Sequence, residues 1–160
     1  MSETGVIARI RPFRESDSAT VATDWLKSFH LSHYAGPIPM DLYWPTYRTI
    51  VNRLMWSPRV TVLMACSPTD DAQTFGWIAC ERKIQPLVHF IYVKQVFRHQ
   101  GIAKMLMAAA DISTAFTFIY TFKTPAAARL IKGQWGKTRI RPWAGVFDPL
   151  KARFAPPESP

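Results

Sequence analysis

Between Leu87 and Ala109 the apolar residues change their spacing from that of a strand to that of a helix, across a short loop holding one glycine, Gly101. Leu87 to Val93 is a run of β-branched, aromatic and other apolar side chains around His89, as a largely buried strand requires. After Gly101, the residues Ile102, Met105, Leu106 and Ala109 fall on one helical face. Ala115 to Phe122 is again β-branched and aromatic, so a strand follows the helix. A strand, a crossover helix and a second strand make a parallel pair. The chain must therefore build a sheet with helices packed on it.

The flanking segments complete that sheet. Ile7 to Phe13 alternates as a first strand that Pro12 ends, with Ile7, Arg9 and Arg11 on one side and Ala8 and Ile10 on the other. Ser16 or Asp17 suits the N-cap of a helix whose core side is Val21, Trp25, Leu26 and Phe29, ending before Gly36-Pro37-Ile38-Pro39. Asp41 to Ser57 reads as a second helix with Tyr47, Ile50, Val51 and Leu54 on one face. Val60–Cys66 and Thr74–Glu81 read as a hairpin, and a turn over Lys83–Pro86 leads to the Leu87 strand. Late in the chain, Thr124-Pro125 opens a helix that Gly133 closes, and Trp135–Phe147 holds one or two strands. The expected fold is a mixed α/β (α+β) domain spanning 1–160. Its sheet is mostly antiparallel with helices on both faces, and 155–160 forms a proline-rich tail.

Composition narrows the function classes. With 160 residues, 48% hydrophobic and 19% charged, the chain suits one folded domain and not a disordered one. No run of about 18 apolar residues marks a membrane span. Met1 to Gly5 lacks the basic and apolar regions of a secretory signal. Cys66 and Cys80 lie in apolar runs without metal-ligand spacing, so buried inert thiols and a cytoplasmic setting are expected. No metal is expected, because His30, His33, His89 and His99 form no ligand cluster with either cysteine. Twenty Lys and Arg against eleven Asp and Glu give +9, which favours an anionic partner. Much of the excess lies in Arg129–Arg153, a segment suited to an acidic protein or nucleic acid, or simply to a solvated surface.

The loop at Gly101 carries the chemistry. A helix start offers free amide N–H groups and partial positive charge, and together these bind phosphate. Gly101 would let a ligand approach the backbone, Ala103 keeps the next position small, and Arg98 and Lys104 add charge. The same residues also suit an ordinary strand-to-helix turn.

Arg98-His99-Gln100-Gly101-Ile102-Ala103 resembles the Arg/Gln-x-x-Gly-x-Gly/Ala signature of the GNAT superfamily, the acyl-coenzyme A-dependent N-acyltransferases. Ile10–Asp17 resembles that family's first strand and helix cap, Phe75–Ile78 its third strand, and Ala127–Leu130 its last helix. The resemblance covers roughly residues 7 to 147. It implies that Ile91, Tyr92 and Val93 pair with the pantetheine arm of acetyl-coenzyme A. It also implies that the loop of Arg98, His99, Gln100, Gly101, Ile102, Ala103 and Lys104 holds the pyrophosphate. Thr124 stands where the family usually has asparagine, Ile131 where it often has an acid tyrosine, and Leu87 near where a glutamate is frequent.

Substitutes for the missing acid and base are at hand. By period-two spacing His89 shares a face with Leu87 and Ile91, and histidine ordinarily titrates near neutrality. Glu81, at the end of its strand, would act through water, and Tyr120 would supply a phenol. His30, His33, Tyr34, Tyr43 and Trp44 would line an acceptor pocket. Each also has a plainer reading as a packed or solvated side chain. Two functions follow. One is N-acetyl transfer from acetyl-coenzyme A to a primary amine. The other is a catalytically silent GNAT scaffold of phage type, a virion-associated or nucleic-acid- or protein-binding component, with a homo-oligomer among the expected assemblies.

Overall fold

In a computed structural model of the chain the described residues are 7–31, 36–82 and 86–112, with the backbone of 119–120 and 141–142. The strands are β1 (Arg9–Pro12), β2 (Thr61–Cys66), β3 (Thr74–Glu81), β4 (Leu87–Val93), β5 (Ile119–Tyr120) and β6 (Arg141–Pro142). The helices are α1 (Ser18–His30), α2 (Met40–Met55) and α3 (Ile102–Ala109). The expected helix over 124–132, the turn at 83–85, the basic segment apart from the backbone of 141–142, and the tail lie outside the described residues.

The strands form one sheet in sequence order, β1 to β6. The first four are antiparallel neighbours, whereas β4–β5 and β5–β6 are parallel. The β2–β3 hairpin and the late parallel pair are as the sequence indicates. Helices α1 and α2 cover one face, where Trp25, Leu26, Tyr43, Tyr47, Met64, Trp77 and Phe90 pack together. Trp25 stacks on Phe90 at 5.5 Å and meets Trp77 at 5.3 Å between ring centroids, which fixes α1 across β3 and β4. Helix α3 covers the other face, with Ile102, Leu106 and Met107 on Leu63, Ile78, Cys80 and Val88. Met107, not Met105, is the buried methionine of α3. The core line of α2 is Tyr43, Tyr47, Val51 and Met55, one residue every four, so Ile50 and Leu54 only flank it. Cys66 and Cys80 are free and fully buried, and burial pushes the Cys80 thiol up to about 11.

The entry to α1 differs from a simple cap. Asp17 precedes α1, but its side chain accepts no helix N–H. It takes the Arg14 N–H at 2.8 Å and both terminal nitrogens of Arg11, at 2.7 and 2.8 Å. Arg11, on the same side of the strand as Arg9 by alternation, is only 5% exposed. Its guanidinium also donates to the Asp71 carbonyl at 3.0 Å, so one buried arginine ties β1 to the start of α1 and to the β2–β3 turn. Burial pushes the Asp17 carboxyl up, but the Arg11 and Arg14 hydrogen bonds outweigh it and hold it below the usual carboxylate range.

Removing one partner of a buried pair strands the other charge. Asp17→Ala should therefore cost about 3–5 kcal/mol in urea unfolding at pH 7. Arg9→Ala, whose half-exposed side chain meets Asp71 at 2.8 Å, should cost about 1 kcal/mol or less. Because the folded carboxyl is depressed, this stabilisation is full at neutral pH and is lost as the pH falls below about 4. Equal losses for the two variants would contradict the assignment.

Candidate functional site

Strand β4 is irregular at its centre. Against β3, Phe90 faces Ala79 while Val88 faces Cys80, so His89 is an extra residue, a β-bulge. A bulge bends and twists its strand. On the other side, the described pairing of β4 with β5 covers only Leu87↔Ile119 and Val88↔Tyr120 and stops where the bulge begins. From His89 to Val93, β4 has no strand neighbour on that side among the described residues.

The hydrogen bond from the Lys94 N–H to the Phe75 carbonyl, 2.8 Å, sets the phase of the β3–β4 ladder. In an antiparallel pair, alternate residues turn both backbone groups to the partner and the intervening ones turn theirs away. Tyr92 therefore pairs with β3, and Ile91 and Val93 present their N–H groups to the opposite edge of β4. Two close approaches agree. A Cβ built on Gly76 would lie 2.4 Å from the Tyr92 carbonyl oxygen, so that oxygen faces β3. The Val93 carbonyl, on the other edge, accepts the Arg98 Nε–H at 2.9 Å. Of the three residues expected to pair with an extended arm, Ile91 and Val93 offer backbone groups and Tyr92 offers only its side chain.

The end of β4 leads into the glycine loop. A short 3₁₀ turn, Gln95–Phe97, follows β4, and Phe97 rests on Phe75 at 4.3 Å. His99 has φ 63° and Gly101 φ 80°, two left-handed residues within three, a curl that aims successive amides inward. Gly101 occupies the N-cap of α3, and a Cβ there would meet nothing within 4 Å. The glycine is thus required by its backbone angle, and the space before it is open. The first intrahelical bond is Met105 N–H to Gly101 carbonyl, 3.1 Å, which leaves the amides of Ile102, Ala103 and Lys104 without an intrahelical acceptor. Ile102 turns its side chain into the core and can offer only that amide. Arg98, His99 and Lys104 are exposed around the opening, and Gln100 is tied back to the Val96 carbonyl at 3.2 Å. An extended anion with a phosphate head fits this edge and cradle.

The acid-base candidates are rearranged. Both His89 and Glu81 are buried, and His89 Nε2 lies 3.0 Å from Glu81 Oε1. Glu81 is not a solvated strand end. The bulge also breaks period two, so His89 shares the α1–α2 face with Glu81 and Phe90, while Ile91 packs on the α3 side. Glu81 stands directly opposite Leu87. A carboxylate therefore adjoins the position where the family resemblance looked for one, supplied by the neighbouring strand. Tyr43 lines no pocket: it is fully buried and donates to the Leu26 carbonyl at 2.6 Å. His30 Nε2 is held at 3.0 Å by the Ile38 carbonyl, and Trp44 packs against the core. For Tyr120 only the backbone is described, and Thr124, Ile131, His33 and Tyr34 lie outside the described residues.

Sequence reasoning missed Asp24. It projects from α1 beside β3 and β4, half-buried, and its Oδ2 accepts the Trp77 indole N–H at 3.4 Å. Trp77 is the cross-strand partner of Tyr92. Among the described residues no group of three His, Cys, Asp or Glu could hold a metal ion, and no helix is long and apolar enough to cross a membrane.

No family profile and no curated protein sequence matches the chain. Solved structures do. The chain is similar to a protein described as an acetyl transferase from Pyrococcus furiosus, at 14% identity and TM-score 0.54, covering 92% of this chain and 89% of that one. It is similar to a histone acetyltransferase HPA2-related protein from Corynebacterium glutamicum, at 10% identity and TM-score 0.51, covering 64% and 68%. A third is a GCN5-related glucosamine N-acetyltransferase region of a fungal multi-domain β-N-acetylglucosaminidase, at 15% identity and TM-score 0.50. That match covers 69% of this chain and 12% of the larger protein. These likenesses establish the fold, which is that of the GNAT acetyltransferases.

Gly101→Ala tests the loop geometry. A left-handed backbone costs a residue with a Cβ about 1–2 kcal/mol, so chemical unfolding should show a loss of that size. A stability equal to the parent's would mean the loop does not hold Gly101 at positive φ.

Proposed function

We propose that the protein is an N-acetyltransferase that moves the acetyl group of acetyl-coenzyme A to a primary amine. The observation that carries this reading is the bulged strand β4 running into a glycine-opened helix start, whose first amides have no intrahelical acceptor. Ile91 and Val93 would hold the pantetheine arm by backbone hydrogen bonds. The amides around His99 to Lys104, with the charges of Arg98 and Lys104, would hold the pyrophosphate. Acetyl-coenzyme A supplies the acetyl group as a thioester, already activated for transfer. The Val93 N–H, turned away from β3, is a suitable donor to a carbonyl oxygen that gains charge. His89, oriented by Glu81, is the proposed proton acceptor, placed at the bulge of β4. Tyr120 and Thr124 remain proposed contributors to thiol release and cofactor binding.

Calorimetric titration with acetyl-coenzyme A, followed by thiol release against primary amines, tests the reading. The parent should bind and release thiol. Gly101→Glu should abolish binding while the domain stays folded, because a carboxylate would sit at the helix N-terminus where the pyrophosphate belongs. His89→Gln should leave affinity near the parent's and lower turnover by about 10²-fold or more. A parent that binds no acetyl-coenzyme A, or a Gly101→Glu variant that binds as tightly, would remove the proposal.

A further inference from the structure

Helix α1 brings one carboxylate to the α1 side of the strand that leads to the cradle. Asp24 is half-buried, and its Oδ2 accepts from Trp77 Nε1 at 3.4 Å. Trp77 sits on β3 directly across from Tyr92, their ring centroids 6.1 Å apart, and the partly exposed Tyr92 separates Ile91 from Val93 on β4. The side chain thus stands beside the C-terminal half of β4 and keeps contact with solvent. The charged and titratable groups facing it are Lys27 from its own helix and Tyr92 and Lys94 from the end of β4. The Lys94 ammonium is engaged by the Thr74 hydroxyl at 3.1 Å, and no ion pair joins it to Asp24 among the described residues.

We infer that Asp24 is the specificity residue for a cationic acceptor: its carboxylate receives the ammonium group of the incoming amine beside Tyr92, on the α1 side of β4. This rests on the acetyl-transfer reading and adds the class of acceptor. Holding up Trp77 does not require the charge, since asparagine presents the same oxygen to the indole. The charge also works against folding. Burial pushes the Asp24 carboxyl up, and the Trp77 hydrogen bond and the Lys94 and Lys27 charges only partly oppose this. An ammonium ion bound at the carboxylate would be drawn to the partly exposed ring of Tyr92 as well. Neutral or anionic acceptors would meet a desolvated negative charge. The sign with pH follows: ammonium binding needs ionised Asp24 and is lost as the pH falls through its raised value.

The probe is n-butylammonium chloride, and the readout is the Trp77 indole N–H resonance, assigned by Trp77→Phe among the six tryptophans of the chain. If Trp77→Phe does not fold, the indole resonance that moves in Asp24→Asn identifies it. At pH 7 the resonance should shift and saturate with n-butylammonium in the parent, and equal sodium chloride should not reproduce the shift. Asp24→Asn should weaken that titration at least tenfold, keep the parent's unfolding midpoint or raise it, and bind acetyl-coenzyme A unchanged. No shift, a shift matched by sodium chloride, or an equal titration in Asp24→Asn would overturn the inference. Acetyl-coenzyme A calorimetry on the same samples decides the underlying reading separately. If the cofactor does not bind the parent, acetyl transfer falls whatever the ammonium titration shows.

Discussion

The buried contact between His89 Nε2 and Glu81 Oε1, 3.0 Å long, spans the bulge in β4, and the layout of the site depends on that bulge. One inserted residue bends the strand where its described pairing with β5 stops. Below the bulge β4 is an ordinary interior strand. Above it, Ile91 and Val93 turn backbone donors to an edge that β5 does not take up among the described residues. The aromatic cluster of Trp25, Trp77 and Phe90 packs over the same point from the α1 side and holds the bend in place.

A second constraint acts at the other end of the strand. Phe97 on Phe75 and Arg98 on the Val93 carbonyl fasten the loop that follows β4, so the positive-φ residues His99 and Gly101 curl against a fixed base. Gly76 contributes from β3, where only a glycine lets the two backbones approach as they do at Tyr92. The edge and the cradle are therefore one rigid continuation, with the Ile102 side chain anchoring α3 in the core while its amide stays at the opening. On the far side of the sheet, the Arg11–Asp17 pair fixes where α1 begins, and so where Asp24 falls relative to β4.

Most of the architecture was legible because it rests on periodicity and on strong punctuation. The four long stretches of strand, both long helices and the helix after Gly101 follow from apolar spacing, prolines and that glycine. The bulge was not legible. Leu87-Val88-His89-Phe90-Ile91 reads almost the same in either phase, so nothing showed that His89 and Ile91 fall on opposite faces. The burial of Glu81 has the same cause, since its partner arrives only through the bulged register. Alternation did not separate Arg11 from Arg9, because the burial of Arg11 depends on Asp17, a contact across a turn. Asp24 was invisible for a related reason. It is one polar residue on an amphipathic helix, and its meaning comes from Trp77 and Tyr92, more than fifty residues away.

The central claim is that Ile91 and Val93, and not Tyr92, offer their backbone donors to an extended ligand that ends at Gly101. Amide hydrogen exchange of these three residues, with and without acetyl-coenzyme A, tests it most directly. Tyr92 should exchange slowly in both states because its N–H is bonded to β3, whereas Ile91 and Val93 should be fast alone and become protected together with Ala103 and Lys104 when the ligand is added. Protection of Ile91 and Val93 without ligand, or no change at those amides under conditions where acetyl-coenzyme A binds, would contradict the account.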